Sequence, residues 1–282
     1  MEHGRGRAMS EQVGLRGKAW FQAFTGKNSP MAGDPGSVLT ADAKLGEETA
    51  RFLCVVPNPA ARFPCARLGE VGLEESYALA TRIREAVEQD KNGVKRPIIA
   101  IVDVKSQAYG RREETAAIFL ATATAADAYA SARMKGHPVI ALVMGNAISG
   151  GFLTHGYQAN RILAFDDAGV VIHAMHKEAA ARITLRTVAE LDLLGHKIAP
   201  LSYDIHDYAK LGLLHKLLHV EDPDRPSQAT IAQIQKELID AVADARAGSK
   251  DLSNRLTSPG AKEMRKASLA ARARMEEQWR QA

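Results

Sequence analysis

Pro97-Ile98-Ile99-Ala100-Ile101-Val102-Asp103 and Pro138-Val139-Ile140-Ala141-Leu142-Val143-Met144 are two nearly continuous apolar runs that begin 41 positions apart. A strand with one wet face alternates apolar and polar residues; a strand buried on both faces, as in a parallel sheet, does not. Thirteen residues after its proline each run reaches a glycine, Gly110 or Gly151, at the mouth of a helix-like segment. The pair predicts an internal strand-loop-helix repeat within one α/β domain.

Outward from the repeat, Arg51 to Val56 is a short β-favouring run stopped by Pro57-Asn58-Pro59. Glu74 to Gln89 places Leu79, Ile83, Ala86 and Val87 at helical spacing and ends near Asn92-Gly93. Arg111 to Lys135 carries alanine at nine positions, which favours a helix lying close on the sheet as a buried crossover. A second helix is expected over Gly150 to Asn160. Short strands follow at Arg161 to Phe165 and Val170 to His173, with Asp166-Asp167-Ala168-Gly169 as the turn. Tyr208 to Leu218, Ser227 to Ala245 and Ala261 to Gln281 complete the chain as helices. Residues 25–46 are rich in Gly, Pro, Ser and Asp, so 1–46 reads as an irregular N-terminal segment. It is followed by a core over 47–225 and a helical C-terminal arm of the same domain over 226–282.

The chain has 282 residues, 46% hydrophobic and 25% charged, which excludes collagen, disulfide scaffolds and disordered tails. Its net charge of +4 is unevenly placed: from Arg246 to Ala282 nine Lys and Arg stand against four acids. The remainder is close to neutral and has no basic groove with interleaved aromatics, so nucleic acid is not an expected partner. No apolar run of 18 residues occurs, so a membrane is not expected either and the protein is placed in the cytoplasm. Arg5 and Arg7 lie in a Gly- and Arg-rich leader, and either Met1 or Met9 is the start. Cys54 and Cys65 have no Cys-x-x-Cys spacing and read as two buried thiols. His173 and His176 are spaced like a metal pair but lack a third ligand, and no metal is assigned.

The chemistry points to Gly145-Asn146-Ala147-Ile148-Ser149-Gly150-Gly151. A strand that turns into a helix through such a sequence presents unpaired backbone N–H groups, which suit an anion or a developing oxyanion. The same glycines also serve close packing of strand and helix.

The stretches IVDVKSQAYGRREE (101–114), LVMGNAISGGFLTHGYQANRILAFDDAGVVIHAMHKEAAARIT (142–184) and DYAKLGLLHKLLHV (207–220) resemble the gamma subunit of biotin-independent malonate decarboxylase. The resemblance runs from about residue 48 to the C terminus. That family is similar to the alpha half of bacterial acetyl-CoA carboxylase carboxyltransferase. It implies a crotonase-like (ClpP/crotonase) α/β fold of repeated strand-strand-helix units. It also implies a partner, a malonate decarboxylase beta subunit of the same fold, with the active site between the two. The substrate would be malonyl-thioester on the phosphopantetheine-like arm of an acyl carrier protein, giving acetyl-thioester and carbon dioxide. This chain would bind no cofactor of its own, and neither biotin, metal nor a side-chain nucleophile is required.

On this resemblance the backbone amides of Gly150, Gly151 and Phe152 form an oxyanion hole, with Ser149 as helix cap or polar pocket group. Tyr109, Gly110, Arg111, Arg112, Asn146 and His173 are the expected substrate contacts. Lys105-Ser106 stands where carboxyltransferases carry Pro-Gly before the first anion-binding loop, a departure in that loop's outline. Two alternatives stay open. Ser149, with His173 in Val-Ile-His 24 residues on, is similar to the nucleophile and base of Clp-type serine peptidases. Or the chain is a non-catalytic structural subunit whose basic arm, including Arg265 and Lys266, docks an acidic carrier.

Overall fold

The computed structural model describes residues 15–281; the Met1 or Met9 choice and the Arg5 and Arg7 leader lie outside the described residues. Seven strands form one sheet: β1 (Val38–Leu45), β2 (Glu48–Val55), β3 (Ile98–Val104), β4 (Val139–Ile148), β5 (Arg161–Phe165), β6 (Val171–His173) and β7 (Lys216–Leu218). The order is β1-β2-β3-β4-β5-β7, antiparallel for β1/β2 and parallel beyond, with β6 pairing β4 off that path. The two quoted runs are the neighbours β3 and β4, with Ile98 opposite Val139 and Ile101 opposite Leu142. Every residue of β3 is buried, as a sheet covered on both faces requires.

The helices are α1 (Leu15–Thr25), α2 (Leu73–Gln89), α3 (Arg111–Thr115), α4 (Ile118–Met134), α5 (Ser149–Thr154), α6 (Lys177–Thr184), α7 (Val188–Gly195), α8 (Ile205–Lys210), α9 (Gln228–Ala247), α10 (Asn254–Thr257), α11 (Pro259–Met264) and α12 (Lys266–Gln281). One large cluster joins the sheet to α1, α2, α4 and α9.

Several expectations are corrected. The segment before residue 47 is not irregular throughout. In α1, Trp20, Phe21 and Phe24 enter the core, and the Trp20 indole donates to the Pro223 carbonyl at 2.7 Å. β1 is a full partner of β2, and among the described residues of this segment the main loop is about 26–37. The alanine-rich helix is two helices, because Ala117 adopts a left-handed φ of 60° between α3 and α4. The expected helix over Gly150 to Asn160 ends at Thr154. Tyr208 to Leu218 is not one helix: α8 stops at Lys210, Gly212 turns the chain at φ +80°, and Lys216–Leu218 joins the sheet edge. The basic end is α11 and α12, and no residue of α12 is buried. Cys54 is buried as expected, but Cys65 is partly exposed.

A buried polar link ties α5 to the sheet and to α4. His155 is fully buried, with Nε2 2.8 Å from the Ile101 carbonyl and Nδ1 2.8 Å from the Tyr129 hydroxyl. A carbonyl only accepts, so Nε2–H donates to Ile101 and Nδ1 accepts from Tyr129. Burial pushes the His155 pKa down to about 4. Between that value and the ordinary one near 6.5 only the unfolded chain takes the proton, so stability falls as pH drops through this window. The loss is at most about 3 kcal/mol. We predict that His155→Leu costs about 2 to 3 kcal/mol near pH 7.5 by leaving Tyr129 and Ile101 unpaired. Urea unfolding of both proteins across pH 4.5 to 7.5 should show that deficit shrinking toward acid.

Candidate functional site

β4 is long enough to serve two neighbourhoods. Ile140 to Val143 pair with β3 and β5, whereas Asn146 to Ile148 pair with β6. The Asn146 amide donates to buried Asp103 at 3.0 Å, which fixes the strand where it leaves β5. The next residue after β4, Ser149, has φ +59°. Such a left-handed conformation costs a non-glycine residue about 1 to 2 kcal/mol. A serine on a sharp strand-to-helix elbow is thereby thrust outward.

Ser149 is not a helix cap: it is the first residue of α5, Ile148 occupies the cap position, and no side chain caps the helix. Its Oγ lies 2.5 Å from the Tyr109 hydroxyl. Tyr109 ends the first loop, and its carbonyl accepts the Cys65 thiol at 3.1 Å. The two glycines that follow Ser149 face this loop. A Cβ on Gly151 would stand 2.5 Å from the Ser106 carbonyl oxygen, and one on Gly150 would strike the Gln107 side-chain amide at 1.6 Å. Gln107 can swing away; the Ser106 backbone cannot. The Lys105-Ser106 departure keeps a defined outline, since Ser106 O accepts the Val71 amide and Ala108 N donates to Val71 O, each at 2.9 Å.

Ser149, Gly150 and Phe152 line a cavity of about 340 Å³ with His173, and its other walls are largely apolar, including Leu153, Ile172, Leu211 and Leu213. His173 reaches it from β6, where it pairs with Ile148. Its Nδ1 is committed to the Met175 backbone, 2.8 Å from the carbonyl oxygen and 3.0 Å from the amide nitrogen. Burial holds its pKa below the ordinary histidine value, opposed by the Met175 carbonyl. The Tyr203 ring stacks on it at 3.8 Å and 14°. Among the described residues Ser149 bonds Tyr109 and makes no hydrogen bond to His173, and no carboxylate orients the imidazole. The geometry does not assemble the serine peptidase pair, although both residues share the cavity.

Tyr109, Ser149, Gly150, Phe152 and His173 are therefore brought together. Arg111 and Arg112 are not: both are exposed and line a separate open depression with Thr115 and Ala116. Gly110 caps the start of α3, and Asn146 is half-buried behind the elbow. His176 donates from Nε2 to the Lys105 carbonyl at 2.9 Å, so it braces the first loop. No cluster of three metal-ligating side chains occurs among the described residues. Sequence reasoning missed Tyr203, which lies outside the quoted stretches, and Gln107 and Tyr208, which lie within them but have no spacing that singles them out. Arg265, expected on the basic docking arm, is half-buried in the cavity wall, its Nε donating to Leu211 O at 2.7 Å.

Comparison with known proteins matches residues 66–279 to the sequence model of the malonate decarboxylase gamma subunit. The chain belongs to the malonate decarboxylase gamma subunit family. It is similar to a chain of the Pseudomonas malonate decarboxylase hetero-tetramer solved with coenzyme A, at 51% identity and a TM-score of 0.89 over 94% of this chain and 99% of that one. It is 34% identical over 223 residues, 76% of this chain and 75% of the relative, to the malonyl-S-ACP:biotin-protein carboxyltransferase MADD of Malonomonas rubra. Transcarboxylase 12S, at 17% identity and a TM-score of 0.62 over 86% of this chain and 45% of that one, shares the fold. The crotonase-like expectation for a malonate decarboxylase gamma subunit thus agrees with the sheet described above. No described helix is long and apolar enough to cross a membrane.

The strained elbow gives a direct test. Ser149→Gly and Ser149→Ala both delete the hydroxyl, but only glycine relieves the positive φ. We predict that the glycine variant is the more stable of the two by about 1 kcal/mol, the reverse of the usual helix order. Urea midpoints measured side by side decide this.

Proposed function

We propose that this chain and a beta subunit of the same fold together decarboxylate malonyl-thioester carried on an acyl carrier protein. The observation that carries the reading is the Ser149-Gly150 turn in the wall of a largely apolar cavity, in a chain of this family. The hetero-tetrameric Pseudomonas enzyme supports a partnered subunit, and the Malonomonas relative supports a malonyl group on a carrier protein. The thioester hangs on the carrier's phosphopantetheine-like arm, the complex works in the cytoplasm, and this chain needs no cofactor of its own.

Decarboxylation breaks the bond between the α-carbon and the carboxylate and leaves the electron pair in a thioester enolate. Two physical conditions speed it: donors aimed at the enolate oxygen or the departing carboxylate, and surroundings that solvate the carboxylate poorly. The amides of Gly150, Gly151 and Phe152 at the start of α5 have no carbonyl one turn back within the helix and supply the donors. Phe152, Leu153, Ile172, Leu211 and Leu213 supply the apolar setting. α5 is only six residues long, so the local N–H groups, rather than a helix dipole, do this. Exposed α12, with Lys266, Arg272, Arg274 and Arg280, supports a docking role toward an acidic carrier.

Labelled carbon dioxide should be released from malonyl-carrier protein by the mixture of this chain and the beta subunit, and not by this chain alone. Gly151→Ala, which must displace the Ser106 loop or the elbow, should lower the mixture's turnover by about 10²-fold. An inactive wild-type mixture would overturn the reading.

A further inference from the structure

Loss of carbon dioxide from a malonyl thioester leaves an enolate whose α-carbon must take up one proton before acetyl-thioester can leave. The groups around the cavity differ sharply in their ability to supply it. The Tyr203 hydroxyl donates to the Met175 carbonyl at 2.7 Å, and burial pushes its pKa up to about 12. Burial raises Tyr208 further still. The Arg265 guanidinium is committed through Nε to the Leu211 carbonyl. Burial holds His173 below its ordinary value, which works against the imidazolium a proton donor would need. Cys65, behind the first loop, bonds backbone, and burial beside Glu70 pushes its thiol up to about 11.

Tyr157 also lines the cavity, but one pair of hydroxyls at the elbow is joined by a hydrogen bond. Tyr109 and Ser149 share a hydrogen bond of 2.5 Å. Ser149 forms part of the cavity wall, held there in a left-handed conformation that a serine adopts only when its surroundings impose it. Tyr109 is 55% exposed and its hydroxyl is bonded to the cavity-lining serine, so the pair links the cavity wall to an exposed residue. We propose that Tyr109 is the proton source for the enolate, acting through Ser149.

This assignment rests on the decarboxylase reading above. The step balances as follows. The bond to the carboxylate breaks, carbon dioxide departs, and its electron pair enters the thioester enolate. The α-carbon then takes the Ser149 hydroxyl proton while Ser149 Oγ takes the phenolic proton of Tyr109. The resulting tyrosinate recovers a proton from water. The carbon acid formed is far weaker than a phenol, so the transfer runs downhill. The strain at Ser149 then has a use: it places the relay oxygen on the cavity side of the elbow, beside the amides that hold the charge.

The test uses the assembled complex with the beta subunit and compares wild type, Tyr109→Phe and Ser149→Ala. Three quantities are measured: carbon dioxide release, KM for malonyl-carrier protein, and exchange of the acetyl-thioester methyl protons with D₂O, which reports enolate protonation in reverse. Melting curves and co-elution with the beta subunit confirm assembly. In Tyr109→Phe, kcat should fall about 10²-fold with KM changed less than about twofold, and methyl exchange should fall by the same factor. Ser149→Ala should move all three the same way. Methyl exchange at the wild-type rate in Tyr109→Phe overturns the relay, whatever happens to kcat. A rise in KM without loss of exchange also overturns it and makes Tyr109 a positioning residue. A wild-type complex that releases no carbon dioxide overturns the functional reading and this one with it.

Discussion

The contact on which the site depends is the backbone approach of Gly151 in α5 to the Ser106 carbonyl beyond β3. No side chain fits between them, since even a Cβ would lie 2.5 Å from the oxygen. The first loop is trapped from the other side as well, because Ser106 O and Ala108 N both bond Val71 ahead of α2. Clamped on two faces, the loop has little freedom in where it ends, and it ends with Tyr109 on Ser149. The internal repeat seen in the sequence thereby becomes a functional device: the loop of the first unit is read against the elbow of the second.

The elbow is held in an unfavourable conformation by its anchors on both sides. Upstream, β4 stays paired through Ile148 with His173, so the strand cannot unwind to relieve Ser149. Downstream, α5 is pinned within two turns by His155, which reaches β3 through Ile101 and α4 through Tyr129. A cost of about 1 to 2 kcal/mol at one residue is small against burial of this extent, and it persists because relaxing it would break a ladder or a buried polar link.

Legibility in the sequence followed burial. β3 and β4 could be read because strands covered on both faces leave continuous apolar runs, and α2 because one face meets the core. β1 was hidden by its own polar residues and by the Gly- and Pro-rich stretch before it, although Val38, Leu39 and Ala41 are buried. β7 has three residues and comes soon after helical α8, so the leucine-rich stretch Leu211 to Leu218 reads as more helix. The Gly150-Gly151 turn was legible, but not why it is glycine, since the Ser106 carbonyl lies 45 positions away. The left-handed Ser149 was illegible for a different reason. Nothing about serine announces a positive φ; the neighbours force it. The Tyr203 stack on His173 joins residues 30 apart with no shared motif.

α6 and α7 escaped sequence reading for a reason that bears on how the site works. Between them they bury only Ala181 and Gly195, and Ile183, Leu185 and Leu193 are each more than 60% exposed. A helix signals itself by an apolar stripe that its own core absorbs, and here the chain's core is complete without these two. They leave β6 just after His173 and return through Pro200, which lies in the cavity wall. The segment that carries this exposed apolar surface is thus tied to the cavity wall at one end. On the proposed reading a partner seated there would cover that surface and close the cavity in one step. It would exclude water from the place where a carboxylate must be poorly solvated for its bond to break.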